Sequence, residues 1–534
     1  MYLILTASSD AYIQNKIIGS TYRSTDANTG RSGTLDLYKL YGETKLPPTE
    51  TAVSPFALDN DSDGAVETSI ELSRLFVKFD YAKLISQASE NMDVREASFK
   101  AYLSLKTVSA GQFTPKDFTV DVLPLAQAFD EGVGKDVISY RDLDSCNFIT
   151  ASISGDTVNL WNSPGAGALG ALGAANLDAY NTANLGDGVV NIKASQTFNT
   201  GEENLWVDVT HLVSASLTGQ ITNHGFRVAF KPSEETDSTT RFVKRFASRH
   251  AKNPYLRPGL HVIWDDSIRD NSNNAVFDHS NTLYFQNYLR GLEQDLKIGA
   301  TTYNGADCLR LVISSGSFSL TSNVSSVTSN TTDTNRPGLY KASFTINSDN
   351  DSIVRQGQGY LDKISDFAIK SGSLKFTTEW KTPGAGSITV HTGSITLNQT
   401  DRYQGNFTSR KPHVSTVNLN SEYKHSDVAR IRLFGRDINA EYNEKYGSVP
   451  QKRKPVGYDL VAYSVIDALT EDAAIPENKT HNGTRVSTDY YGMFFDLDMS
   501  ILHPGRSYYL SFSVVERGTT TVIRDKNLTF KVIR

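Results

Sequence analysis

The chain is poor in the residues that define several large classes of protein. Its 534 residues include only two cysteines, Cys146 and Cys308, which lie far apart and have no histidine beside them in sequence. Two cysteines cannot build a disulfide framework, and without neighbouring histidines they do not form a zinc motif. We therefore expect both to be ordinary small buried residues.

Long hydrophobic runs are also missing. No window approaches the roughly 18 consecutive apolar residues of a membrane-spanning helix. The apolar run near the start covers only residues 2–5 and lacks a basic flank, so it does not match a secretory signal peptide. These absences predict a protein that is made in the cytoplasm and does not contact a membrane, or one whose export uses no standard signal.

No charge of one sign dominates the chain. Lysine and arginine total 53 against 59 aspartates and glutamates, so the formal net charge is −6. This balance argues against attraction of the whole protein to nucleic acid. One stretch, RFVKRFASRHAKNPYLRPGLHVIWDD at 241–266, nevertheless concentrates cations among aromatic residues. In isolation it is typical of a nucleic-acid patch, although its last part alternates like a strand.

Familiar catalytic motifs are absent as well. The sequence has no Gly-x-Ser-x-Gly elbow, no His-Glu-x-x-His and no phosphate-binding loop. GAGALG at 165–170 matches a dinucleotide pattern, but its β-rich setting favours a flexible loop. The adjacent acids at 202–203 and 234–235 would point to opposite faces of a strand, which predicts solvated charges rather than a glycosidase pair. We expect no enzyme, although a pair assembled from distant positions stays open.

Alternation of apolar and polar residues dominates what the chain does contain. A period of two predicts strands, for example at 74–81, 98–108, 117–125, 226–231, 309–320, 373–380, 386–397, 429–437 and 508–525. Arg517-Gly518, between two β-branched runs, predicts a hairpin. Helical signals are few: residues 81–92 carry an apolar stripe, and 282–296 predicts one helix or an irregular linker.

Repeated short strands with few helices predict a mainly β protein made of several β-sandwiches. Polar, turn-rich segments at 265–281 and 398–412 mark the expected breaks. The expected domains are therefore residues 1–265, 276–397 and 410–534.

One acidic loop has the spacing of a metal ligand set. LDNDSDGAVE at 58–67 places Asp59, Asp61 and Asp63 as a calcium loop does. The twelfth position is Ile70 instead of a bidentate glutamate, which favours a plain acidic loop over a weak structural calcium site. No other cofactor is expected.

Seven motifs follow one another through the first half of the chain. They are DAYIQ (10–14), NTGRSGTLDL (28–37), SRLFVKFD (73–80), ASFKAYLSLK (97–106), WVDVTHLV (206–213), GQITNHGFRVAF (219–230) and FASRHAKNPYLRPGLHVIW (246–264). Together and in this order they resemble the DNRLRE family of β-sandwich domains, relatives of which act as carbohydrate-binding modules. The resemblance covers about residues 8–264 and is interrupted by an insert at 126–200. It implies a jelly-roll-like sandwich in which a D-V-T-x-x-V strand leads to an N-x-G-F hairpin.

The sequence that begins at Met1 also resembles virion proteins of tailed phages, particularly contractile-tailed ones. This resemblance implies a non-enzymatic structural protein of the tail, baseplate or neck, located in the virion after synthesis in the host cytoplasm. Its partners would be other virion proteins in a symmetric assembly, and immunoglobulin-like or fibronectin-like domains would follow the first sandwich. Nucleic acid and membrane are not expected partners.

The alternative function is a carbohydrate-binding adhesin that attaches to host-surface polysaccharide. Tyr12, Trp206 and Tyr255 are the residues expected to stack on sugar rings. A depolymerase is a weaker third possibility, because it needs an acid/base pair that the sequence does not display.

The resemblance also reinterprets the basic stretch at 241–266 as the segment that closes the sandwich. Arg249 is then expected to make a structural hydrogen bond or ion pair. Arg241, Lys244 and Lys252 are expected to be solvated, or to pair with acidic segments such as DDSIRD at 265–270.

Overall fold

The protein is described from a computed structural model. The structure describes residues 1–45, 56–58, 68–90, 92–109, 111, 114–138, 145–184, 189–329, 334–356, 359–399, 411–438, 456–458, 460–516 and 518–534. Strands hold 51% of the residues and helices 7%, so the fold is mainly β, as the alternating sequence predicts.

The chain divides into two compact units. One contains residues 3–87 and 99–263, and the other contains residues 1–2, 88–98 and 264–534. The change of unit at 263–264 lies beside the expected break after residue 265.

The described residues up to 263 form eighteen strands. These are β1 (Tyr2–Gln14), β2 (Ile17–Ile18), β3 (Tyr22–Arg23), β4 (Thr34–Tyr41), β5 (Ala57–Leu58), β6 (Thr68–Phe79), β7 (Lys100–Leu105), β8 (Phe118–Pro124), β9 (Thr150–Ser154), β10 (Thr157–Leu160), β11 (Leu169–Ala171), β12 (Ala179–Asn184), β13 (Val189–Asn191), β14 (Ala194–Phe198), β15 (Leu205–Asp208), β16 (Phe226–Phe230), β17 (Arg241–Ala247) and β18 (Gly259–Ile263). The main sheet has the order β14-β8-β16-β6-β1-β18-β7-β15, and β4 joins it by pairing with both β6 and β17.

Strand β6 is the centre of this sheet. It pairs with β1 and β16 along one part of its length and with β4 and β5 along the other. Eleven of its twelve residues are buried. Burial on both faces is consistent with the uninterrupted apolar run at 75–77, where a half-exposed strand would alternate.

The insert at 126–200 packs against the sandwich instead of extending from it. Phe76 of β6 lies 5.4 Å from Phe129 and 5.1 Å from Trp161, measured between ring centroids. Cys146 and Phe148 complete the same buried cluster. Residues 126–200 therefore contribute aromatic side chains to the same core as β6.

In the part of the chain that the structure describes, four α-helices and two short 3₁₀ turns accompany the strands. The helices are α1 (Ala82–Glu90), α2 (Thr210–Leu217), α3 (Pro232–Glu235) and α4 (Ile364–Ser371), and the turns are Pro254–Leu256 and Met499–Ile501. Helix α1 confirms the prediction at 81–92. The expected D-V-T-x-x-V strand is wrong in its second half, because Asp208 accepts the Thr210 N–H and the chain turns into α2.

Residues 281–398 form a second set of strands. These are β19 (Asn281–Gln286), β20 (Tyr288–Leu289), β21 (Leu292–Glu293), β22 (Leu296–Ile298), β23 (Thr301–Tyr303), β24 (Leu309–Ser315), β25 (Phe318–Ser329), β26 (Thr334–Phe344), β27 (Ile353–Gln356), β28 (Tyr360–Lys363), β29 (Ser373–Lys381) and β30 (Thr389–Asn398). Six of them form an antiparallel sheet in the order β19-β26-β25-β24-β29-β30, and the others pair as hairpins.

The proposed helix or linker at 282–296 is wrong. This segment contains β19 and the hairpin β20–β21, whose turn residues Arg290 and Gly291 both have positive φ. An Arg-Gly pair between short apolar runs is a hairpin signal of the same kind as Arg517-Gly518.

Residues 412–533 form the last set of strands. These are β31 (Pro412–Thr416), β32 (Glu422–Lys424), β33 (Val428–Asp437), β34 (Leu460–Asp467), β35 (Ala473–Ile475), β36 (Ser487–Asp489), β37 (Gly492–Asp498), β38 (Ser507–Glu516) and β39 (Thr519–Ile533). They form two sheets, β31-β33-β37-β36 and β32-β39-β38-β34-β35. The rings of Tyr463 and Phe495 stack 4.1 Å apart and join the two sheets.

The remaining predictions about the fold concern the hairpin, the cysteines and the membrane. Gly518 has a φ of 78° between β38 and β39, which confirms the hairpin. Both cysteines are buried thiols, as expected. Within the described part of the chain, no helix has the length and apolar character required to cross a bilayer.

Candidate functional site

Most cations of the basic stretch make contacts within the protein. Arg241 bonds to Asp237 with Nη2 2.7 Å from Oδ2, and Arg245 bonds to Asp36 at 2.6 Å. Lys252 is exposed. The stretch is therefore mainly a structural part of the sandwich.

Lys244 contradicts the expectation that it is solvated. Its side chain is fully buried, and its ammonium donates to the carbonyl oxygens of Gly201 and Glu203 and to the hydroxyl of Thr107, at 2.6–2.8 Å. The ring of Phe198 lies 5.0 Å from Nζ. Burial lowers the pKa of Lys244 to about 8. Arg241 is 8% exposed and therefore not solvated; it pairs with an acidic segment, as the other expectation allowed, but with Asp237 and not with residues 265–270.

Arg249 makes the structural ion pair that the sequence predicts. Its Nε and Nη2 both donate to the carboxylate of Glu131, with Nη2 2.6 Å from Oε2. Its backbone N–H donates to Asp10 Oδ2 at 2.6 Å. The closing segment is thereby joined to β1 and to the insert, since Glu131 follows β8 in the inserted region.

His250 extends this group into a four-residue cluster, which we call the closing cluster: Asp10, Glu131, Arg249 and His250. The His250 Nε2 atom lies 3.5 Å from Glu131 Oε1. One ligand atom from each of Asp10, Glu131 and His250 lies within 4.8 Å of the other two. Sequence reasoning missed this group because its members are up to 240 residues apart.

Asp10 is the unusual member of the closing cluster. It is 1% exposed, and its Oδ1 atom has no hydrogen-bond partner among the described residues. Burial raises the pKa of this carboxyl to about 7; the Arg249 N–H opposes the rise and the nearby Glu131 charge adds to it.

The three residues expected to stack on sugars do not form one platform. Tyr12 lies inside β1 and is 7% exposed, so its ring face is closed to a ligand. Tyr255 is half-buried in the turn before β18. Trp206, on the edge strand β15, is 43% exposed and is the member of the set that faces solvent best.

Trp206 belongs to a small aromatic surface. Its ring stacks on Tyr102 with centroids 5.3 Å apart and planes 16° apart, and His261 lies 4.7 Å away. The partner of Trp206 in β7 is Ser104. Neighbouring outward positions on β7, β15 and β18 thus present three rings on one face of the sheet.

The unit that contains residues 264–534 has an aromatic-lined cavity of about 290 Å³ that the sequence did not indicate. Its walls include Tyr284, Trp380, His391, Tyr491 and Phe494. At its polar side, Arg432 Nη1 lies 2.7 Å from Asp489 Oδ1, and the guanidinium lies over the Tyr491 ring at 5.7 Å. The alternating sequence pattern predicts on which face of its strand each aromatic residue lies. It does not show that these residues come together around one cavity.

The acidic pairs and the glycine-rich segment have structural positions. Glu235, expected to be solvated, is buried between Arg74 and Arg227 instead. Arg74 Nη1 donates to the Gly165 carbonyl at 2.6 Å. The first residue of the glycine-rich segment at 165–170 is therefore bonded to a buried side chain of β6. The calcium-loop residues Asp59, Asp61 and Asp63 lie outside the described residues.

Comparisons with known proteins find only distant structural similarity. No family model and no curated protein matches the chain. Fibronectin(III)-like modules of CbhA from Clostridium thermocellum are similar at 9% identity and a TM-score of 0.13, over 50% of this chain and 91% of that one. The D1–D4 ectodomain fragment of ICAM-5 is similar at 9% identity and a TM-score of 0.12, over 98% of this chain and all of that one.

A DUF4785 family protein from Legionella pneumophila is similar at 8% identity and a TM-score of 0.14, over 99% of this chain and 94% of that one. Similarity this low carries no inference about function. The strands and sheets themselves define the class of protein: a mainly β chain of several sandwich domains. The DNRLRE assignment of the first sandwich remains a prediction.

Proposed function

We propose that the chain is a non-enzymatic structural protein of a tailed-phage virion, in the tail, baseplate or neck. The proposal rests on the resemblance of its N-terminal half to β-sandwich domains that begin such proteins. A series of β domains fits this role, because sandwiches present large, rigid faces through which copies of a protein can assemble.

The observation that carries the proposal is the way the resembling motifs come together. DAYIQ lies in β1, which pairs with β6, the strand of the SRLFVKFD motif. The N-x-G-F motif leads into β16, which pairs with β6 on its other side. Arg249 of the last motif donates to Asp10 of the first. Motifs from both ends of the resemblance thus form one sheet system, which supports a single domain of that family.

The experiment is to analyse purified virions of the phage that encodes the chain. Particles are digested, and peptides from residues 3–263 and 264–534 are quantified against the major capsid protein. We expect peptides from both regions in an equal, fixed ratio per particle, enriched in the tail fraction after heads and tails are separated. A chain that is abundant in the lysate but absent from washed particles contradicts the proposal.

A second candidate function is attachment to host-surface polysaccharide. The observation that favours it is the exposed Trp206 ring with Tyr102 and His261 beside it. Aromatic faces stack on the apolar faces of sugar rings, and a rigid sheet holds them in place at a low entropic cost. The aromatic cavity beside Arg432 and Asp489 offers a second place for the same chemistry.

Two variants separate these surfaces. Trp206→Ala and Tyr491→Ala each remove an exposed ring, and the two rings belong to different units. Binding of the folded chain to a glycan array and to purified host polysaccharide is compared for both variants and for the unmodified chain. Loss with one variant alone locates the site, whereas no saccharide binding by the unmodified chain contradicts attachment.

A further inference from the structure

The closing cluster brings three metal-ligating side chains from distant parts of the chain to one place. Asp10 belongs to β1, Glu131 follows β8, and His250 follows β17. One carboxylate oxygen from each acid and one imidazole nitrogen lie within 4.8 Å of one another. A cation bound among them would connect the first strand, the insert and the closing segment.

The charges of the cluster do not cancel. The Arg249 guanidinium is committed to Glu131 through two hydrogen bonds, while only the backbone N–H of Arg249 reaches Asp10. Asp10 is 1% exposed, and its Oδ1 atom has no hydrogen-bond partner among the described residues. A buried carboxylate oxygen without a partner is costly unless a proton or a cation compensates it.

Glu131 retains the capacity to bind an ion. Its Oε1 atom accepts from the Asp10 N–H and from Arg249 Nε, whereas Oε2 accepts from Arg249 Nη2. An ionised carboxylate offers about four lone-pair sites, so one stays available beside these three bonds. The His250 side chain is 29% exposed, which leaves a route from solvent to the cluster.

We propose that Asp10, Glu131 and His250 bind one divalent transition-metal ion of the zinc class. The donor set decides the class, because imidazole nitrogen with carboxylate oxygens suits zinc and its neighbours, whereas calcium and magnesium prefer oxygen alone. The nearby guanidinium weakens the attraction, since it already neutralises the charge of Glu131. The ion is structural, because it joins three segments that are distant in sequence, and its binding free energy adds to the stability of the folded state.

The alternative to a metal ion is a proton on Asp10. The two cases differ in whether the stability of the protein depends on metal. Zinc and the proton compete for the same buried carboxylate of Asp10, because a metal ligand must be deprotonated. A proton alone needs no metal, and stability would then be the same with and without a chelator.

The test uses the full chain, stripped with a chelator and then equilibrated with zinc chloride at neutral pH. After gel filtration, the metal content is measured by inductively coupled plasma mass spectrometry. The variants are Asp10→Asn, which keeps the size and the acceptor for the Arg249 N–H, and His250→Ala, which removes a partly exposed ring. His211→Ala is the control, because His211 is an exposed histidine of the same unit, on α2.

We expect one zinc ion per chain in the unmodified protein and in His211→Ala, with a zinc-dependent rise of the melting temperature in both. Asp10→Asn and His250→Ala should retain only background zinc and lose that rise, while their circular dichroism spectra stay unchanged. Equal zinc content in all four proteins would assign the metal to other histidines and overturn the proposal. No retained zinc in the unmodified chain, with a stability that depends on pH alone, would also overturn it and identify the proton as the occupant.

Discussion

Arg74 and Glu235 form a two-pronged ion pair inside the N-terminal sandwich. Arg74 Nε lies 2.9 Å from Glu235 Oε1, and Nη2 lies 2.7 Å from Oε2. Arg227 approaches the same carboxylate to 3.8 Å. Burial alone would raise the pKa of Glu235, but the two arginines outweigh it and hold that pKa below its usual value. One buried carboxylate therefore balances two buried guanidinium groups.

We predict that Glu235→Gln strongly destabilises the sandwich. Removing one partner leaves buried guanidinium charges without compensation, which costs about 3–5 kcal/mol. The free energy of unfolding, measured by urea denaturation, should fall by this amount. Glu202→Gln is the control, because Glu202 is exposed. Equal stability of the two variants would show that the arginines find other partners.

We predict that Arg249→Ala lowers the melting temperature of the unit that contains residues 3–87 and 99–263. The change removes two charge-assisted bonds to Glu131 that hold the insert to the closing segment. The expected loss is roughly 1–3 kcal/mol, because the pair is partly exposed. Calorimetry of the variant is compared with Lys252→Ala, whose side chain is exposed. An unchanged melting temperature would contradict a structural role for Arg249.

Stability should depend on pH through Asp10 when no metal is present. The pKa of this carboxyl rises from 3.8 to about 7 on folding, so the folded state keeps a proton that the unfolded state releases between these values. Stability therefore falls as the pH rises through this window, and the full loss, on the order of 4 kcal/mol, is reached above about pH 7. Unfolding in chelator at a series of pH values measures the slope.

Asp10→Asn should flatten that slope, because an amide does not titrate. Asp156→Asn, at an exposed turn, should leave the slope as it is. Parallel slopes in the unmodified chain and Asp10→Asn would assign the pH dependence to another group.

Lysine labelling tests the burial of the basic stretch directly. With an amine-acetylating reagent on the folded chain, Lys244 should stay unmodified while Lys252 reacts. Burial lowers the pKa of Lys244, which by itself would favour reaction of the amine. The reagent cannot reach the buried amine, and we expect this lack of access to prevent the reaction. Peptide mass spectrometry gives the extent at both sites. Equal labelling of the two lysines would mean that β17 opens to solvent.

The strands were predictable from sequence because their signal is local. In β29 the burial of SLKFTTEWK alternates residue by residue, so one face is apolar and the other polar. The hairpin at Arg517-Gly518 is local in the same way. The equivalent signal at Arg290-Gly291 lies in a segment for which the sequence predicted one helix or an irregular linker, so that prediction was wrong.

The closing cluster and the position of Lys244 were not predictable in this way. The carbonyl groups that hold Lys244 come from residues 201 and 203, and a backbone carbonyl has no sequence signature. Asp10 and His250 meet only after the sheet has brought β1 beside β18. A charged residue in a predicted strand is expected to face solvent. Its burial depends on contacts with residues distant in sequence, which the local pattern does not show.

The contact between Arg249 and Glu131 limits how this protein can change over time. Glu131 lies in the segment 126–200, and it supplies the counter-charge for Arg249 in the segment that leads into β18. Replacing residues 126–200 by a tight turn would leave Arg249 without the carboxylate of Glu131. It would also remove Phe129 and Trp161 from the core. The sandwich therefore depends on residues 126–200 for an ion pair and for part of its core. Natural variation in length should therefore be found in the outer part of the insert, for example at 155–160 or 171–176, and not at its beginning.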